Sequence, residues 1–284
     1  MHVERFAPSP TGPLHLGHAF SALTAWERAA GGSFLLRIED IDRSRARPQW
    51  EVQIYDDLRW LGLSWPEPVL RQSDRQSAYQ AALLSLWKQR LLYPCTCSRR
   101  DIENALSAPQ EGVPTHGPDG PIYPGTCRPD RPEPHTDMPA SATLRLNMSR
   151  AIETLPEGEM LSFTETGPTW QGHHQIDPRD LPETAGDIVL ARKDMGTSYH
   201  LSVVLDDAHQ GITHVTRGVD LFEATQIHVL LQQLLDLPTP IYHHHRLIRD
   251  DFGKRLAKRD DARAIIKYRA EGATPTDLRR MVGL

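Results

Sequence analysis

Residues Val3-Glu4-Arg5-Phe6-Ala7 read as a short strand, and Ser9-Pro10-Thr11-Gly12-Pro13 follows as a loop that proline and glycine keep out of any periodic structure. From about Leu16 to Ala30 the spacing of Phe20, Leu23, Ala25 and Trp26 suits a helix, which Gly31-Gly32 closes. Ser33–Ile38 (SFLLRI) is an apolar run bounded by turn residues, the pattern of a buried strand. Strand, helix and strand within about forty residues make a βαβ unit, which implies a parallel sheet joined by a right-handed crossover. The chain is therefore expected to be α/β.

Helices are predicted over Gln49–Leu61 and Ser77–Leu92, after which the composition shifts. Nine of the 23 prolines lie between Ser107 and Pro139, where little periodicity survives, so this stretch reads as irregular structure or an insertion. Thr143–Leu146, Ile188–Ala191, Ser202–Leu205 and Thr213–Thr216 are predicted strands, and Phe222–Leu237 is a predicted helix. No internal repeat is present. The expected architecture is an α/β fold interrupted by an insertion that carries all three cysteines, with a short, basic, partly helical tail after Leu247.

The chain has 284 residues, enough for a substantial core, with 39% hydrophobic and 24% charged residues, as in ordinary soluble proteins. No apolar run approaches the ~20 residues of a membrane span, and Met1–Phe6 lacks a signal-like stretch, so a cytoplasmic location is expected. The net charge of −5 argues mildly against nucleic acid, but its distribution does not. From Arg246 onward eleven Lys/Arg face six Asp/Glu, a local +5, whereas residues 1–245 carry −10. A basic segment on an acidic body can still meet a phosphate backbone, because contact depends on local potential.

His15-Leu16-Gly17-His18 stands where the strand and loop deliver the chain to a helix N-terminus, whose unpaired N–H groups and dipole favour anions. Gly17 permits close approach of a nucleotide, and the imidazoles can donate to phosphate oxygens. Cys95-Thr96-Cys97 with Cys127 suits a tetrahedral structural zinc site. The fourth ligand is open among Tyr123, His116 and water, and three buried thiols without metal are the plain alternative. His243-His244-His245 reads as an ordinary strand end, and no Ser/His/Asp triad is evident.

The segment Arg5–Ala19 (RFAPSPTGPLHLGHA) resembles the HIGH signature of class I aminoacyl-tRNA synthetases in its glutamyl/glutaminyl form, with Leu16 in place of the usual isoleucine. Arg37-Ile38-Glu39-Asp40-Ile41-Asp42 is similar to that branch's RIEDTD segment. Lys254-Arg255-Leu256-Ala257-Lys258-Arg259 resembles the KMSKS loop; Ala257 replaces its serine and Lys258 keeps its phosphate-binding lysine. Ser198–Asp207 (SYHLSVVLDD) with Val215-Thr216-Arg217-Gly218 resembles the pattern around the amino-acid pocket. The resemblance spans residues 3–260. It implies a glutamate pocket of Arg5, Ser9, Glu39, Tyr199 and Arg217, and an ATP site of His15, Gly17, His18 and Lys258, with His15, His18 and Lys258 as catalytic groups.

Only 25 residues follow Arg259, which is expected to be too few for an anticodon-reading domain. In this the chain resembles a small paralogous family, the glutamyl-queuosine tRNA(Asp) synthetases, whose C-x-C…Y-x-x-x-C pattern implies Tyr123 as the fourth zinc ligand beside Cys95, Cys97 and Cys127. The resemblance further implies a Rossmann-like parallel sheet interrupted by a zinc-containing insertion. It divides the chain into a first catalytic half (1–92), an acceptor-binding-like insertion (93–194), a second catalytic half (195–245) and a KMSKS-like loop with a helical tail (246–284). The expected activity is adenylation of L-glutamate by ATP with Mg²⁺, then transfer to the queuosine base of a tRNA(Asp) anticodon arm, by a monomer. Alternatives are charging of a tRNA 3′ end, a glutamyl-AMP ligase acting on a small amine or carrier, and an RNA-binding module with a degenerate site.

Overall fold

The βαβ unit forms where its pattern predicts it. In a computed structural model that describes residues 1–106, 115–130, 137–249 and 263–284, strand β1 (Val3–Phe6) and strand β2 (Ser33–Ile38) pair in parallel across helix α1 (Leu16–Arg28). Helix α1 buries Ala19, Phe20, Ala22, Leu23 and Ala25, an i, i+3, i+4 stripe facing the sheet. Gly32 is required where the chain turns into β2: a Cβ there would lie 2.2 Å from the carbonyl oxygen of His2, which accepts from the Ser33 N–H.

After α2 (Pro48–Trp60), the short strand β3 (Leu70–Arg71) adds in parallel to β2, and α3 (Gln76–Lys88) follows. The next stretch holds β4 (Leu92–Cys95), α4 (Arg99–Leu106), the β5–β6 hairpin (His116–Gly117, Gly120–Pro121), β7 (Thr143–Leu146), α5 (Met148–Glu153), β8 (Leu161–Glu165), β9 (Gly172–Ile176), α6 (Leu181–Thr184) and β10 (Val189–Ala191). Strands β10, β7 and β4 form an antiparallel sheet. Helix α7 (Tyr199–His209), β11 (His214–Gly218), α8 (Thr225–Leu234) and β12 (Ile241–His245) complete the second half, and α9 (Ile265–Ala270) and α10 (Pro275–Val282) end the described chain. Among the described residues no helix is long and apolar enough to cross a membrane.

Strands β11 and β12 are parallel, β8 lies parallel on the far side of β12, and β9 runs antiparallel at the edge. The two parallel groups meet at β1 and β11: the Thr213 N–H donates to the Val3 carbonyl at 3.1 Å, and the Val3 N–H to the Thr213 hydroxyl at 2.8 Å. The order is thus β3-β2-β1 then β11-β12-β8-β9. The chain winds outward from β1 and returns on its other side, which puts a topological switch point between β1 and β11. In open α/β sheets, ligands bind beyond the carboxyl ends of the strands at such a point.

One sequence expectation is overturned. Ser202–Leu205 is not a strand but the middle of α7. The Ser198 hydroxyl caps this helix by accepting from the Leu201 N–H, and the helix is buried on nearly every side, His200 through Val204 together with Asp206 and Asp207. A helix buried all round loses its 3.6-residue stripe, so a four-residue apolar run reads equally as strand. The core explains that burial. Leu201, Val203 and Leu230 pack in one cluster with Leu144, Leu146, Leu161, Phe163 and Leu190 from the 93–194 stretch. A second cluster joins α1, β2 and α2 to Ile265 and Leu278 of the terminal helices.

Asp57 of α2 lies in the first half with no exposure, and Gln53 and Arg269 oppose the cost of burying its charge only in part. Burial, with Asp56 beside it, pushes its pKa up to about 6. An acid whose folded pKa is raised makes the fold lose stability as pH climbs from the unfolded value through the folded one, with the loss complete above it. Asp57→Asn is therefore expected to stabilise by about 2–3 kcal/mol at pH 8 and by almost nothing near pH 4. Thermal unfolding at the two pH values checks this; an equal gain at both would show that the charge is not the cost.

Candidate active site

At the switch point lies a cleft of about 1080 Å³, and Arg5, Ser9, His15, Gly17, His18, Glu39, Tyr199 and Arg217 all line it. The topology explains the convergence. Arg5 is the penultimate residue of β1, Ser9 lies in the loop beyond it, Glu39 follows β2, Arg217 is the penultimate residue of β11, and Tyr199 and His15 sit at the starts of α7 and α1. Lys258 lies outside the described residues. Its flanks do not: Ile248 lines the cleft, Ala264 bridges to His15, and the Ile265 N–H donates to the Leu14 carbonyl at 2.8 Å. The described residues on either side of 250–262 thus lie beside α1.

His15 is the N-cap of α1 in an unusual capping box. Its Nδ1 accepts from the Gly17 N–H at 3.1 Å, and Nδ1 of His18 accepts from the His15 N–H at 3.1 Å. Serine or threonine with glutamate usually fill these roles. Because a backbone N–H is always the donor, both rings carry their proton on Nε2 and offer an Nε2–H donor at a cleft-lining helix N-terminus. The rings stand 3.8 Å apart and tilted by 38°.

Across the cleft floor runs a buried charge network. Asp207 Oδ1 accepts from Arg5 Nε at 3.0 Å and from Arg37 Nη1 at 2.6 Å, and Arg37 Nη2 donates to Glu39 Oε1 at 3.1 Å. Arg5 also donates to the Thr216 carbonyl at 3.2 Å, which ties β1 to β11 at the switch point. Burial would raise the Asp207 pKa, but Arg5 and Arg37 outweigh it and hold the carboxyl below its ordinary value. Burial pushes Glu39 up, and Arg37 opposes that. The sequence motifs contain Arg37 and Asp207 but assign them no role. An arginine inside the otherwise apolar Ser33–Ile38 strand is the available signal, because a buried charge needs a partner.

Arg217 differs in kind from Arg5 and Arg37. Only 6% exposed, it donates from Nε to His244 Nε2 at 2.9 Å, from Nη1 to His228 Nδ1 at 2.9 Å, and from Nη2 to the Leu221 carbonyl at 3.2 Å and the Thr225 hydroxyl at 2.8 Å. Every one of these acceptors is neutral, and the guanidinium also lies over the Tyr242 ring at 5.1 Å. A buried cation bonded to no carboxylate among the described residues, at the edge of a cleft, is suited to an anionic ligand. His244 is correspondingly not an ordinary strand residue. It is 1% exposed, its Nδ1 meets Glu165 Oε2, and its N–H donates to Glu165 Oε1 at 2.9 Å. His228 and Glu165 carry no motif and no sequence signal beyond being polar residues in apolar segments.

The cysteines cluster as expected, away from the cleft. The sulfurs of Cys95, Cys97 and Cys127 lie within 4.8 Å of one another. The Tyr123 hydroxyl is 3.5 Å from Cys95 Sγ and 3.4 Å from Cys97 Sγ, and it accepts from the Cys127 N–H at 2.8 Å. Tetrahedral bonds of about 2.3 Å to sulfur and about 2.0 Å to oxygen put neighbouring ligand atoms roughly 3.5–3.8 Å apart, so these residues could hold a metal ion. His116 stands instead on the β5–β6 hairpin with its ring against the Thr115 hydroxyl. The cluster is fastened to the body by Arg145, whose guanidinium lies 3.8 Å over the Tyr123 ring and donates to the Asp187 carbonyl at 2.7 Å.

A parallel sheet with this switch point, a double-histidine helix start and a cleft of mixed charge define a nucleotide-using α/β enzyme. Residues 2–284 match the family model for class I tRNA synthetases (E and Q), catalytic domain, and the chain belongs to that family. It is 65% identical over 286 residues to the glutamyl-Q tRNA(Asp) synthetase of Rhodobacter capsulatus, covering 99% of this chain and 100% of that one. The enzyme of the same name from Symbiobacterium thermophilum is 42% identical over 290 residues, covering 97% of this chain and 83% of that one. Two solved glutamate-tRNA synthetases, from Elizabethkingia meningosepticum and Elizabethkingia anophelis, share the fold with TM-scores of 0.70 and 0.72 at 24% identity. They overlie all of this chain, which spans 60% and 61% of theirs.

Proposed function

We propose that this protein activates L-glutamate with MgATP and transfers the glutamyl group to the queuosine base of tRNA(Asp). The observation that carries the proposal is Arg217, a buried guanidinium that is bonded, among the described residues, to neutral groups alone at the edge of the cleft. It is matched to the side-chain carboxylate of glutamate, with Arg5, Ser9 and Tyr199 completing the pocket and Glu39 taking the α-ammonium. An α-carboxylate oxygen then attacks the α-phosphorus of ATP, and pyrophosphate leaves. No protein nucleophile is required. Nε2–H donors of His15 and His18, with Lys258, stabilise charge that develops on the phosphates. A hydroxyl of the queuosine base attacks the mixed anhydride, its proton passes to the solvent or phosphate, and AMP leaves.

The 65% identity to a protein named for this activity supports the choice of acceptor. In this reading the 93–194 stretch faces the RNA, the protein acts as a monomer in the cytoplasm, and Cys95, Cys97, Cys127 and Tyr123 hold a structural Zn²⁺. Zinc there would tie β4 to the chain around Tyr123 and Cys127. Cys97→Ser is expected to lower the zinc-to-protein ratio from near one to well below half, read by native mass spectrometry; an unaltered ratio would remove Cys97 from the ligand set.

The decisive assay is transfer of labelled glutamate to tRNA(Asp) with and without queuosine, followed by nuclease trimming. Label retained in the anticodon loop, and only with queuosine present, is the expected result. Label released with the 3′-terminal adenosine would overturn the choice of acceptor while leaving glutamate activation standing.

A further inference from the structure

We infer that His228 and His244 are positioning residues, neutral acceptors in fixed tautomers that aim Arg217 at the substrate carboxylate. The inference rests on the reading of Arg217 given above. A guanidinium has five donors and no acceptor, so any ring nitrogen bonded to it must be unprotonated. Arg217 therefore fixes the proton of His244 on Nδ1, where Glu165 accepts it, and the proton of His228 on Nε2. That Nε2–H has His200 Nδ1 at 3.1 Å, which in turn leaves the His200 proton on Nε2, 3.4 Å from Asp119 Oδ1.

The result is a directed chain with Arg217 near its middle and a carboxylate at each end. Neither carboxylate touches the guanidinium. His228, His244 and Glu165 are each 1% exposed, and burial first, then the charge of Arg217, pushes His228 well below the ordinary imidazole range. The contrast with Arg5 gives the device its meaning. Asp207 orients Arg5 and neutralises it at the same time, whereas two imidazoles orient Arg217 and leave its charge for the ligand. Donors held in place by outer partners need no reorganisation when the ligand arrives.

The test compares His228→Leu with His228→Gln, which keeps an oxygen acceptor for Arg217, in glutamate-dependent ATP–pyrophosphate exchange. His228→Leu is expected to raise KM for glutamate about 10- to 100-fold while KM for ATP stays within about twofold, and His228→Gln to restore most of the loss. Equal losses in both variants, or a rise in both KM values together, would mark a packing role and overturn the inference. So would an unchanged glutamate KM in His228→Leu. If the parent exchanges with another amino acid but not with glutamate, the substrate reading fails instead. Imidazole ¹⁵N shifts of the unmodified protein give a check that no variant can spoil: protons on His244 Nδ1 and His228 Nε2 support the chain, and a protonated or reversed tautomer on either ring overturns it.

Discussion

Replacement of Arg217 by glutamine is expected to cut kcat/KM for glutamate in pyrophosphate exchange by about 100- to 1000-fold, or roughly 3–4 kcal/mol. Charge-assisted bonds in a desolvated pocket are about twice as strong as neutral ones, and truncation leaves the ligand carboxylate facing buried, uncharged acceptors. The glutamine amide offers two N–H donors in place of five and no charge, so the set of bonds made by Arg217 cannot be reproduced. The loss is expected mainly in KM for glutamate, with ATP binding preserved, because Arg217 lies near the end of β11 while the paired histidines start α1. Steady-state kinetics with each substrate varied in turn checks this, and a loss confined to ATP would remove Arg217 from the carboxylate site.

The second large effect concerns stability. Asp207→Asn strips the shared counter-charge from Arg5 and Arg37, which are 6% and 0% exposed. Removing one partner of a buried ionic group typically costs about 3–5 kcal/mol, because the remaining charge stays desolvated. For a chain of this size that corresponds to a fall in Tm of roughly 6–12 °C. The pH dependence has a definite sign. The folded pKa of Asp207 is depressed, so its stabilisation is present above the unfolded value near 3.9 and is lost as pH falls through the folded one. The gap between parent and variant should be full at pH 7 and shrink on acidification below about pH 4. A constant gap across that range would mean that the substitution disturbs packing and not charge.

Both effects act through residues whose positions in the chain differ greatly in what they disclose. His15, Gly17 and His18 are readable because each is bound to a local structure that short-range sequence encodes, whereas the role of Glu39 comes from resemblance. Proline and glycine end β1, a helix begins at the next polar pair, and an apolar run makes β2, so the ligand-facing ends of three elements can be located without knowing how they pack. Tyr199 and Arg217 emerge only by resemblance, and Tyr199 does so despite a wrong local reading, since the run that follows it is helix α7. That error has a definite cause: burial on all sides erases the periodicity by which a helix is recognised.

The βαβ unit and the nucleotide-type helix start follow from local rules, in which neighbours along the chain determine conformation, and the cysteine cluster is legible from the Cys-x-Cys spacing and residue type. The neutral histidine clamp on Arg217 and the Asp207 bridge do not. Glu165, Arg217, His228 and His244 are drawn from β8, β11, α8 and β12, and Arg5, Arg37 and Asp207 from β1, β2 and α7. Which of two buried arginines has its charge left uncompensated depends on whether a carboxylate or an imidazole arrives beside it from a distant segment, and only the packing of the two sheet halves at the switch point decides that.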